Sequence, residues 1–223
     1  MVYVLFIVIA LVSFAVQRTL QSKFERYSKI PIPYGLTGRD IDMLMLQENG
    51  INDVSVTQVD GHLTDHYNPA THTVNLSRDV YYGNSVAAAA VAAHECGHAI
   101  QHATNYVPLN LRSAIVPVAN IGSTLSWPLF LAGLIFSIRP LLTVGIILFT
   151  FAVLFQLVTL PVEFNASSRA LKMLGSSGML GNDEVKGARK VLTAAALTYV
   201  AALASSILQL LRLIILAGGR DRD

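Results

Sequence analysis

The chain has 223 residues, of which 53% are hydrophobic and only 13% charged, with a formal net charge of +2. An ordinary soluble domain carries about a quarter charged residues, so this balance points to a lipid bilayer. The small net charge argues against a nucleic-acid partner, and the single cysteine, Cys96, excludes an internal disulfide framework.

The first element is the apolar run Val2 to Val16, closed by Gln17 and Arg18. No basic residue precedes it and no small-x-small cleavage site follows, so it reads as an uncleaved membrane anchor rather than a signal peptide. Thr37 to Gly50 predicts an amphipathic helix. Thr37 can cap it, with Asp40 three residues on completing a capping box, Ile41, Leu44 and Met45 share a face, and Gly50 is the stop. Val54 to Val59 reads as β. His62 to Tyr67 and Thr71 to Leu76 flank the turn Asn68-Pro69-Ala70 as a hairpin, whose second strand is a candidate for pairing with a substrate backbone.

After a connector over Ser77 to Asn84, the alanine-rich run from Val86 to Ala93 predicts a buried, slender helix leading into His94-Glu95-Cys96-Gly97-His98. Val116 to Ser137 and Leu141 to Leu160 are each long enough to cross a bilayer. Only Ile138-Arg139-Pro140 separates them, which predicts a helical hairpin, with Pro117 and Pro128 shaping its first arm. Gly175 to Gly181 is a loop, and Val191 to Gly218 is a last apolar block containing Tyr199, Gln209 and Arg212. The expected organisation is an anchor (1–20), a polar segment with the motif (21–111), a transmembrane hairpin (112–161), a Glu163-bearing segment (162–190) and a C-terminal membrane helix (191–218).

Basic residues next to the spans set the topology. Arg18, Lys23, Arg26 and Lys29 follow the first span, and Arg169, Lys172, Lys186, Arg189 and Lys190 lie between the third and fourth. The positive-inside rule places both clusters in the cytoplasm, giving four spans with both termini outside and the motif on the cytoplasmic side; Arg220 and Arg222 oppose this weakly.

His94-Glu95-Cys96-Gly97-His98 is an H-E-x-x-H pattern. On a helix, residues four apart lie on one face about 6 Å apart, so both imidazoles can reach one ion. Glu95 is turned about a third of a turn from His94, where it can take a proton from water on a metal. Cys96 reads as a small residue on the back of this helix rather than a redox switch. Catalytic zinc takes three protein ligands and a water. His102 continues the four-residue spacing, but lies two turns, about 12 Å, from His94. Glu163 is the better third ligand. The membrane hairpin returns it to the side it left, and a carboxylate beside a span is costly unless paired or bound to a cation. Its alternative is an ion pair with Arg169.

With the two following spans, His94-Glu95-Cys96-Gly97-His98 and Glu163-Phe164-Asn165-Ala166-Ser167-Ser168-Arg169-Ala170 resemble the YugP-type neutral zinc metallopeptidases of bacterial membranes. Leu63 to Pro69 and Val74-Asn75-Leu76-Ser77 are similar to that family too. More distantly, the order of elements is similar to HtpX and the CAAX-processing proteases. The resemblance implies a mainly α fold of multi-pass membrane helices, with a zincin-like core carrying a small β-hairpin. It also implies that Glu163 completes a gluzincin zinc site. Those gluzincins usually carry an aspartate four residues after that glutamate. Ser167 stands there, so Asn165 or Asp65 is a substitute contact for orienting a histidine.

The expected protein is an integral-membrane endopeptidase holding one Zn²⁺ on His94, His98 and Glu163. Glu95 is its general base, its substrates are membrane or membrane-proximal proteins, and its surroundings are the bilayer. His66, Tyr67 and Arg169 are candidates for steadying the oxyanion. A membrane scaffold or chaperone-like protein with a structural zinc site is the alternative. It predicts bound metal without hydrolysis, and would more often use four protein ligands.

Overall fold

The computed structural model describes the backbone of residues 2–218 and the side chains of residues 7–218. Seven α-helices and one small sheet make up the described chain: α1 Val2–Tyr27, α2 Gly38–Glu48, β1 Ser55–Val59, β2 His66–Asn68, β3 Thr73–Ser77, α3 Arg78–Tyr81, α4 Val86–Ala103, α5 Val107–Ile135, α6 Arg139–Ser176 and α7 Asn182–Gly218. They fall into two compact units. One holds the described parts of residues 1–15, 107–161 and 198–223, and the other holds residues 16–106 and 162–197.

In the first unit the expected helical hairpin is present as α5 and the N-terminal part of α6. Both prolines of α5 lie inside the helix. Arg139 and Pro140 open α6 rather than forming the turn, because proline suits the start of a helix, where its missing N–H loses no bond. Phe130, Leu142 and Leu213 form the unit's small buried cluster. Among the described residues three helices are long and apolar enough to cross a membrane: Val107–Ile135, Arg139–Ser176 and Asn182–Gly218. The expected anchor at Val2 to Val16 begins in residues whose side chains lie outside the described ones, as do Arg220 and Arg222.

The second unit carries most of the packed interior. Thr37 caps α2 as expected: its hydroxyl accepts from the Asp40 N–H, and the Asp40 carboxylate accepts from the Thr37 N–H at 2.9 Å. The helix stops at Gly50, whose φ of +66° favours a residue without a Cβ. Ile41 and Met45 are buried, whereas Leu44 is exposed. Ser85 caps α4, its side chain accepting from the Ala88 N–H. The alanines from Ala87 to Ala93 are buried as predicted, in one cluster with Ile41, Met45, Val74, Leu76, Leu174 and Val191. Small side chains let these neighbours close on the helix that bears the motif.

The sheet departs from a plain hairpin. β2 and β3 pair antiparallel, with Tyr67 opposite Val74, but β1 also pairs with β3, in parallel, so the order is β1-β3-β2. β3 is therefore the central strand, with both edges occupied, and the expectation that Thr71 to Leu76 offers a free edge to substrate is corrected. β2 is the exposed edge on the side of α4. Glu163 lies inside α6, which runs unbroken from Arg139 to Ser176, and the second unit takes up the chain again at Val162, just before it.

Candidate metal centre

The site is made where α4 and α6 cross within the second unit. Gly97, the fourth residue of the motif, faces the α6 backbone, and a Cβ built on it would lie 2.8 Å from the Ala166 carbonyl oxygen. Only glycine permits that approach. It sets Glu163, nearly one turn before Ala166, beside the histidines on either side of Gly97. His94 Nε2 lies 3.2 Å from Glu163 Oε2, and His98 Nε2 lies 3.6 Å from the same oxygen. One ligand atom from each of the three residues falls within 4.8 Å of the others. The imidazole planes stand at 82°, so the two nitrogens converge from different directions. The side chains of His94, His98 and Glu163 are only 13%, 9% and 4% exposed.

Both histidines are held from behind. His98 Nδ1–H donates to Gln101 Oε1 at 3.0 Å. The direction follows from Gln101's other end, where the amide nitrogen donates to the Val162 carbonyl at 2.8 Å and to Asn165 Oδ1 at 3.0 Å. With its N–H₂ committed to two acceptors, Gln101 can present only oxygen to His98, so His98 keeps its proton on Nδ1 and its Nε2 lone pair for a metal. Arg169 Nε donates to the same Asn165 oxygen at 2.8 Å. His94 Nδ1 pairs with the Ser167 hydroxyl at 3.1 Å. Ser167 thus makes the histidine contact itself, which corrects the expectation of a substitute. Asn165 acts one step back, through Gln101. Asp65 instead accepts from the Ser77 N–H at 2.7 Å, bracing the sheet.

Glu95 is buried, and one of its carboxylate oxygens accepts the Tyr67 N–H of the sheet edge at 3.1 Å. Burial alone would lower the His98 pKa, but the attraction of Glu163 and Glu95 outweighs it and raises the imidazole above its usual range. A proton and a cation compete for that nitrogen. The three oxyanion candidates are engaged elsewhere. His66 is exposed and pairs with the Thr64 carbonyl, Tyr67's phenol pairs with His102, and Arg169 bonds Asn165 while lying over the Tyr106 ring. Arg169 forms no ion pair with Glu163 among the described contacts, and His102 stands outside the His94–His98–Glu163 group.

Cys96 faces away from this cage, its thiol 3.9 Å from the Asp42 main-chain oxygen. Burial pushes the thiol well above its ordinary pKa, which fits a packing role. Gln101 was the residue that sequence reasoning missed. Its signal was available: three residues after His98, it shares that histidine's helix face.

A family model described as "Putative neutral zinc metallopeptidase" matches residues 2–218. The chain belongs to that family. It is 50% identical over 212 residues to "Putative membrane protease YugP" of Bacillus subtilis (strain 168), covering 95% of this chain and 94% of that protein. No solved structure matches the chain. Membership of a zinc metallopeptidase family agrees with a donor set of two imidazoles and one carboxylate, which suits zinc.

Proposed function

We propose that this zinc-metallopeptidase family member is an integral-membrane endopeptidase that cleaves membrane or membrane-proximal proteins. Its catalytic centre is His94, Glu95, His98 and Glu163. The observation that carries this reading is the convergence of His94 Nε2, His98 Nε2 and Glu163 Oε2 within one small, nearly buried space, beside a glutamate that is not part of the group. Zinc in this cage would supply Lewis acidity, drawing water's pKa toward neutrality and polarising a peptide carbonyl.

The chain's own residues do the rest. Gln101 and Ser167 keep the two imidazoles turned so that Nε2 faces the cage. Glu163 supplies the negative charge that makes the cage attractive to a divalent cation. Glu95 takes the proton of the attacking water and passes it to the departing amine, the task of a general base that later serves as acid. The sheet edge at Tyr67 lies against Glu95, so an extended substrate reaching the base meets strand β2, not β3. A cytoplasmic site is supported by the positive-inside rule, through Arg169, Lys172, Lys186, Arg189 and Lys190 ahead of the last apolar block.

The test uses the full chain in detergent, with metal content measured beside cleavage of an unfolded protein. Glu95→Gln is expected to keep its zinc and lose cleavage by at least a hundredfold, whereas Glu163→Ala loses the metal. Full cleavage by Glu95→Gln would overturn the mechanism. Bound zinc without hydrolysis in the wild type would favour the scaffold reading.

A further inference from the structure

Tyr67 is attached to α4 at two points. Its main-chain N–H reaches Glu95, and its phenol meets His102 Nδ1 at 2.8 Å. Positions 95 and 102 are seven residues apart, two turns or about 10.5 Å along one helix face. A tyrosine side chain is long enough to cover most of that distance. The edge strand β2 is thereby tied to the motif helix by a single residue that bonds at both ends.

His102 is itself braced from its far side. Its ring packs edge-on against His72, with centroids 5.3 Å apart. His72 Nδ1 in turn lies 2.8 Å from the Asp53 carboxylate. His72 has a φ of +51°, a left-handed backbone that is unfavourable for a residue with a side chain. Such strain persists only where surroundings over-determine it. At His72 those surroundings are the Asp53 carboxylate at the ring and the Ser55 N–H, which donates to the His72 carbonyl at 3.0 Å.

We propose that His102, braced by His72 and Asp53, is a positioning residue for the proton-transfer step: through the Tyr67 phenol it fixes the β2 edge, and with it the N–H that holds the Glu95 carboxylate in place. It acts on Glu95 without touching substrate or metal. The proposal rests on the reading of Glu95 as general base. It explains why a histidine at the next four-residue step after His98 stands outside the His94–His98–Glu163 group and still has a defined partner.

The experiment uses the zinc-loaded full chain in detergent and an unfolded protein substrate, with four variants: Tyr67→Phe, His102→Ala, His102→Gln and the double Tyr67→Phe/His102→Ala. Each of Tyr67→Phe and His102→Ala is expected to lower kcat about tenfold, with KM and zinc content unchanged. The double variant should be no worse than either single one, since both break the same link, and His102→Gln should recover most of the rate. Additive losses, a rise in KM at constant kcat, or loss of zinc from His102→Ala would overturn the proposal. Hydrogen exchange at the Tyr67 amide gives a readout independent of activity, and is expected to speed up about tenfold in both single variants. Faster exchange in a protein whose wild type cleaves nothing would sink the protease reading while supporting the clamp. Unchanged exchange would sink the clamp whatever the cleavage.

Discussion

Replacing Gly97 by alanine tests how the centre is assembled. The added Cβ would sit 2.8 Å from the Ala166 carbonyl oxygen and 3.2 Å from that residue's Cα and carbonyl carbon. Comfortable contact between such atoms lies near 3.5 Å, so α4 and α6 must part by about half an ångström. Overpacking of this kind costs about 1–3 kcal/mol, and a zinc site tolerates ligand shifts of only about 0.2 Å. The two effects fall on different measurements. Thermal unfolding should show a modest loss of stability, while zinc affinity, measured by competition with a chromogenic chelator, should fall by about ten- to a hundredfold. A variant that retains wild-type zinc affinity would refute the reasoning. It would mean that the α4–α6 spacing does not set the distance from Glu163 to the histidines.

Two further perturbations act elsewhere in the same unit. Gln101→Leu removes the acceptor that holds the proton on His98 Nδ1, together with the side-chain bond from Gln101 to the Val162 carbonyl. Zinc affinity is expected to drop about ten- to a hundredfold, as for other outer contacts of ligating histidines, and metal titration checks it. Asp42 is wholly buried and neither carboxylate oxygen has a partner. Burial, reinforced by the charges of Glu95 and Asp65, raises its pKa well above the ordinary value. The folded state therefore binds this proton more tightly than the unfolded chain, and the wild type loses stability as pH rises from the unfolded value of about 3.9 to the raised folded one. Asp42→Asn cannot ionise, so its melting temperature should exceed the wild type's at pH 8, with the gap shrinking as pH is lowered toward 5. A gap independent of pH would refute the assignment.

Features whose physics is local were legible in the sequence. The Thr37–Asp40 capping box, the Gly50 stop and the buried alanine run follow from neighbouring residues alone. So do the hairpin turn at Asn68-Pro69-Ala70 and the long apolar helices. The His94, His98 and Glu163 grouping was also within reach, because the returning membrane hairpin limits where Glu163 can go. What escaped depended on pairing across distance. Strand β1 joins β3 in parallel, a partnership that no turn signal announces, and this placed the free sheet edge on β2 instead. The spacing of Gln101 after His98 put it on the right helix face, but which end of its amide meets the histidine follows only from the Val162 carbonyl and Asn165 opposite it. Gly97 fills an unspecified position of the motif, and its importance emerges only with Ala166 at its side.

The Gln101 contacts also bear on when the centre can form during synthesis. The carbonyl that fixes Gln101 belongs to Val162, the residue immediately before Glu163. Delivery of α6 therefore supplies the last ligand and the control of the His98 tautomer together. A nascent chain that has emerged only through α4 offers two imidazoles, both free to present either nitrogen because Ser167 also lies on α6, and it lacks the Glu163 carboxylate. Such a fragment is a poor trap for zinc. A site that uses all three residues is therefore complete only once α6, the second of the three long apolar helices, is present.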